Sequence, residues 1–252
     1  MLTTSQCPIN TERYFGNDPI MKTNFETRNY DAGRDILKWI AVITMTIDHI
    51  GAVLLPGAFE LYPQFELLRI IGRLSFPIYA YLIVLGVETT RNIRKYFIRL
   101  FAFAIISQIP FYLALGYAPF QSLNIYFTLS FGVLSLTNPL FMLASFVISL
   151  FLNFDYSAYG IALIMAMRFL RDNTKLGILL IVLINAVFLP ASPIQLLSLL
   201  SLPIIILHKN GRLGSSRVEK TGRTTSLLRK YAFYLYYPAH LALLYVLKTY
   251  YL

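Results

Sequence analysis

From Ile36 to the C-terminus, apolar runs of roughly helical length follow one another, interrupted by short polar stretches that hold most of the charge. A chain that enters lipid must satisfy its backbone hydrogen bonds internally, and runs of this length do so as α-helices. Composition agrees: 57% of the 252 residues are hydrophobic, only 13% are charged, and the mean hydropathy is +0.61. Soluble domains are far more polar. The predicted fold is therefore all-α, a polytopic integral membrane bundle. Its first apolar run starts too late, and is followed by too many others, to read as a cleaved signal peptide.

Nine spans are expected, over residues 35–55, 68–88, 95–117, 123–137, 139–153, 158–171, 174–190, 194–207 and 231–251, with eight to ten as the range. The fourth, fifth, sixth and eighth are shorter than the roughly 20 residues that cross a full hydrocarbon core, which suits tilted, buried or partly re-entrant helices. Residues 1–34 are polar and unpatterned and read as a flexible cytoplasmic tail. Residues 35–252 read as the membrane domain, with a basic Gly/Ser/Thr-rich loop at 208–230.

The formal charge of +10 sits where topology needs it. Basic residues cluster before the first span and after the second, sixth and eighth, while the opposite loops carry Glu60, Glu66 and Asp155 but almost no cations. The positive-inside rule then places the N-terminus in the cytoplasm, the C-terminus outside, and the chain in the cytoplasmic (inner) membrane. The lipid bilayer accounts for the basic charge, so no nucleic-acid partner is expected. The three histidines, His49, His208 and His240, and the single Cys7 lie in separate segments, so no metal site is expected either.

Ionisable groups at membrane depth cost several kcal/mol unless paired or wetted, which makes them functional candidates. In TMTIDHIG, Asp48 and His49 stand side by side about 20 Å from the cytoplasmic start of the first span. Arg69 and Arg73, four apart, share a face of the second. Gln108 on the third span comes to the same level, Asn124 opens the fourth, and His240 lies near the middle of the last, two residues after Pro238. A proline removes a helix donor and frees a carbonyl, which suits a polar cavity there. A histidine beside a carboxylate suits a general base; the plain alternative is an Asp48–Arg73 ion pair that only fixes helix packing.

These residues also carry a resemblance. The succession DILKWIAVITMTIDHIG, RIIGRLSFPIYAYLIVLGVETT, KYFIRLFAFAIISQIPFYLA, LNIYFTL and FYLYYPAHLALLYVL, over about residues 35–130 and 230–250, resembles the TraX family, membrane proteins implicated in N-terminal acetylation of conjugative pilin. A further similarity is to the acyltransferase-3 membrane enzymes: Lys38 precedes His49 by the spacing of that group's basic residue and histidine, and RNIR supplies Arg91 and Arg94. The resemblance implies an acetyl-CoA-dependent acetyltransferase in pilus biogenesis. His49 would act as base oriented by Asp48, with Arg73 and His240 beside it. Lys38, Arg91, Arg94 and Lys95 would hold the donor phosphates, and Arg69, Gln108 and Asn124 would contact the substrate. The acceptor would be a pilin-like peptide N-terminus. Alternatives are O-acetylation of a surface glycan or lipid, or a non-enzymatic transporter or scaffold; a transporter would show inverted repeats, and none is read here.

The charge pattern generates a direct expectation. A reporter fused after Leu252 reads out on the extracytoplasmic side; a cytoplasmic readout overturns the odd number of crossings.

Overall fold

The computed structural model describes residues 29–55, 66–190, 192–214, 216–218 and 223–251. Helices dominate: α1 (Ala32–Leu54), α2 (Glu66–Gly72), α3 (Ser75–Thr89), α4 (Ile93–Leu115), α5 (Ile125–Ser135), α6 (Pro139–Phe151), α7 (Ser157–Asp172), α8 (Thr174–Phe188), a 3-10 segment Pro193–Ser201 leading into α9 (Leu202–Lys209), and α10 (Arg223–Tyr251). Each of the nine stretches expected to span contains helix. Three helical stretches, Ala32–Leu54, Glu66–Thr89 and Ile93–Leu115, are long and apolar enough to cross a bilayer by length and composition. By contrast α5 has 11 residues, which makes it about 16 Å long, half of a ~30 Å core.

The short helices work because of where they sit. In α3, α5 and α7 most residues are buried, and these three form the interior of the bundle. Around them, α4, α6 and α8 turn Ile105, Ile109, Leu143, Phe151, Leu183 and Val187 outward, all exposed. A soluble surface rarely bears so continuous an apolar coat, whereas lipid tails cover it without cost. The chain is a membrane protein.

Local sequence explains the breaks. The second span is two helices because the ring of Pro77 obstructs the carbonyl four residues earlier, at Arg73, and the helix restarts at Ser75. The Ser75 hydroxyl then donates to the Ala41 carbonyl (3.0 Å), fixing the restart against α1. Helix α4 begins on Asn92, whose side chain accepts from the Lys95 backbone N–H, and ends on Gly116 at φ +73°. In α10, Pro238 leaves the Tyr234 carbonyl without its helical donor, and the Tyr126 hydroxyl supplies one at 3.1 Å.

The end that carries the basic loops is tied together by charge. Glu88 at the end of α3 accepts from Arg168 (2.8 Å) and Arg171 (3.1 Å) at the end of α7. The Tyr81 hydroxyl and His208 Nδ1 are 3.1 Å apart, and His208 Nε2 lies 3.3 Å from Asp31. Asn29–Asp31 also pairs antiparallel with Ser216–Val218. The expected tail and the expected 208–230 loop therefore meet: the first helix starts at Ala32 rather than 35, His208 and Lys209 belong to α9, and α10 reaches back to Arg223. Backbone pairing between distant segments leaves no periodic signature in either. Residues 1–28, Glu60, Lys220 and the side chains of Arg217, Arg223, Arg229 and Lys230 lie outside the described residues.

Candidate active site

Toward the end of the bundle opposite the basic loops lies a cavity of about 540 Å³, within the usual 300–1,000 Å³ range of small-molecule sites. Its wall contains Asp48 and His49 from α1, Arg69 and Arg73 at the α2–α3 break, Asp155 from the α6–α7 turn and Gln195 from the 3-10 segment. Six tyrosines complete much of the lining: Tyr79, Tyr117, Tyr126, Tyr156, Tyr159 and Tyr237.

Asp48 and His49 are neighbours in sequence, so about 100° of helix separates their side chains, and they serve different partners. The carboxylate of Asp48 is held by two arginines, Arg69 Nη1 at 3.0 Å and Arg73 Nη2 at 3.2 Å. Arg69 Nη1 also reaches the Asp48 carbonyl (3.3 Å), and Arg73 donates onward to the Gln195 side chain (3.3 Å). Close approach of the two helices makes this fork possible. A Cβ on Gly72 would overlap the Asp48 side chain, so RIIGR needs its glycine there.

His49 faces another way. Its Nδ1 is 2.8 Å from His240 Nε2, and His240 Nδ1 is 2.9 Å from the Tyr236 carbonyl. A carbonyl only accepts, so His240 carries its proton on Nδ1 and, in the neutral pair, presents a lone pair at Nε2. His49 then donates from Nδ1 and keeps a bare Nε2, which has no hydrogen-bond partner among the described residues. The expectation that Asp48 orients His49 is corrected: that role falls to His240, anchored one helical turn away on the Tyr236 carbonyl. The Tyr236 hydroxyl is itself 2.7 Å from the Thr46 hydroxyl on α1, which fastens α10 to the same helix as His49.

Other expected residues lie elsewhere. Gln108 and Asn124 do not line the cavity. Asn124 is the buried cap of α5, accepting from the Tyr126 N–H (3.0 Å) and donating to the Ala104 carbonyl (2.7 Å) and to Gln108 (2.6 Å). Gln108 also donates to the Ser122 carbonyl (2.9 Å), so both are committed to starting a helix inside the bundle. Lys38 pairs with Asp35 at 2.6 Å and lies 5.4 Å from the Phe233 ring. Arg91, Arg94 and Lys95 stand exposed at the start of α4, at the other end of the bundle from the cavity.

Sequence reasoning missed Asp155, Gln195 and the tyrosines. Asp155 was legible as an acid on the side poor in charge, in NFDYSAYG. Tyrosines near span ends suit an interfacial belt by sequence alone, yet Tyr126, Tyr159 and Tyr237 are buried. Gln195 gave no signal. Its amide donates to the Tyr159 hydroxyl (3.0 Å), and together they brace Arg73 from behind.

The fork is testable by stability. Asp48→Ala leaves two arginines without their counter-ion and lowers stability by about 3–5 kcal/mol, whereas Arg73→Ala, which leaves Asp48 paired with Arg69, lowers it by less. The double variant loses less than the sum, with a coupling of roughly 0.5–3 kcal/mol. Unfolding of the four proteins in detergent measures this, and additive losses contradict a shared interaction.

Comparison with known proteins gives the site its context. The family model described as TraX protein matches residues 33–248. A protein of Dichelobacter nodosus described as "Probable fimbrial assembly protein FimC, serogroup H1" is 30% identical, covering 86% of this chain and 96% of its own length. An uncharacterized protein of Rickettsia prowazekii (strain Madrid E) is 42% identical over 60 residues, 24% of this chain and 18% of that protein. No solved structure matches. With the family model covering the whole bundle from α1 into α10, the chain belongs to the TraX family.

Proposed function

We propose that the protein is an acetyltransferase of the cytoplasmic membrane that moves acetyl from acetyl-CoA to the N-terminus of a pilin-like protein during pilus assembly. Family membership and the fimbrial relative support the setting. The observation that carries the chemistry is the bare Nε2 of His49, held by His240 in a cavity that also presents two arginines.

Each residue has a definable task in this reading. His49 Nε2 takes the proton from the amine nitrogen as its bond to the acetyl carbon forms. The resulting imidazolium still donates from Nδ1 to His240 Nε2, so the His240 lone pair stabilises the charge without moving. Arg69 and Arg73 are both paired with Asp48, and the further N–H donors of their guanidinium groups serve the negative charge that develops on the carbonyl oxygen. His49 returns its proton to the departing thiolate, giving the amide and free thiol. At the basic end, Arg91, Arg94, Lys95 and Lys38 supply cations for the donor's phosphates. The acceptor reaches the cavity from the other side.

Intact mass of pilin co-expressed with this chain tests the reading. The expected gain is one acetyl group at the N-terminus, absent without the protein. With His49→Ala the rate falls by roughly 10²–10⁴-fold, the usual contribution of a positioned base. Unchanged pilin mass contradicts the acceptor, and undiminished transfer by His49→Ala removes the base.

A further inference from the structure

One charged group in the cavity has no part in that chemistry. Asp155 sits in the α6–α7 turn with its backbone fixed: its N–H donates to the Leu123 carbonyl (2.7 Å), its carbonyl accepts from the Thr128 hydroxyl, and Leu123 and Phe154 beside it form a parallel bridge. The half-buried carboxylate lines the cavity, yet among the described residues no arginine or lysine lies within the 4.0 Å of an ion pair. Both nearby arginines make their ion pairs with Asp48. The two acids and two arginines balance in sum, but only Asp48 is met by a cation in contact; Asp155 has the Tyr156 backbone N–H. Burial pushes the Asp155 carboxyl up to about 6 against the pull of Arg73, so attraction from a distance does not make up for the cation missing from contact. A second polar atom in the same wall has a proton to donate: the Tyr237 hydroxyl, on a residue 3% exposed, lies near the Ile125 backbone N–H and has no acceptor among the described residues.

We propose that Asp155 is the seat of a primary ammonium, the free α-amino end of a peptide acceptor, with the Tyr237 hydroxyl meeting a polar group of the same ligand. The acceptor's identity rests on the acetyl-transfer reading; the recognition chemistry does not. A neutral sugar hydroxyl leaves a desolvated carboxylate uncompensated, whereas a cation supplies the missing contact, so the site selects amines over hydroxyls. The ligand docks as ammonium and reacts as the amine with which it equilibrates.

Binding measured on the purified full chain in detergent, without acetyl donor, tests this. The probes are a synthetic pilin-like peptide with a free α-amino group, the same peptide acetylated at its N-terminus, and a twin with a hydroxyl replacing the amine. The wild type binds the free amine at least ten-fold more tightly than either twin. Asp155→Asn abolishes the preference and Asp155→Glu retains most of it. Equal binding of the three peptides by the wild type overturns the assignment with no variant needed, and so does an undiminished preference in Asp155→Asn. If the preference holds and no transfer occurs, the acetyltransferase reading fails while the ammonium site stands. If transfer occurs with no dependence on Asp155, the site fails alone.

Discussion

The geometry of the bundle depends on one ion cluster, Asp48 with Arg69 and Arg73. A lone charge at mid-membrane costs roughly 2.5–3.5 kcal/mol even on insertion scales, so three of them force α1 and the α2–α3 break into contact. That contact needs a glycine at 72 and a helix interrupted near Arg73, which Pro77 provides. With the second span broken there, its carbonyls and arginines open onto a cavity rather than onto lipid. Irregular backbone at such depth is tolerated only where it is covered by protein or lines a polar space.

The same cluster decides what His49 does. Since Asp48 is occupied by arginines, the adjacent histidine is left to find its own partner about 100° around α1. It meets α10, where His240 is locked onto the Tyr236 carbonyl and Tyr236 onto Thr46. The first and last helices of the bundle are thus joined by a chain of hydrogen bonds whose direction is fixed by a carbonyl that can only accept. The outcome is a lone pair on a residue that lines the cavity. On the proposed reading that lone pair takes the acceptor's proton, while the hydrogen bonds behind it and the ion cluster a residue away hold the helices.

Much of this was legible in the sequence because membrane depth is costly. Asp48, His49, Arg69, Arg73 and His240 stand out as ionisable groups in apolar runs, and the helix rise brings most of them near one level. The pairing inside that level was not legible. Which of two adjacent side chains meets an arginine depends on helix rotation, and sequence spacing does not fix it. Gln108 and Asn124 shared the depth but were needed to start a helix inside the bundle, a local task indistinguishable from ligand binding in a string of letters. Asp155 and Gln195 sit in or next to turns, where no periodicity marks which residues point inward. The tail-to-loop pairing joins residues 29–31 to 216–218 through backbone groups alone, which composition does not encode.

The protonation pattern of the histidine pair is read directly by ¹⁵N NMR of histidine-labelled protein in detergent. At neutral pH His49 and His240 are expected both to carry their proton on Nδ1, with Nε2 of His49 bare. Exchange of His240 for glutamine then leaves His49 without its fixed acceptor and mixes its two tautomers. A His49 ring found protonated on Nε2 in the wild type contradicts this pattern, because no bare Nε2 would then be left to act as base.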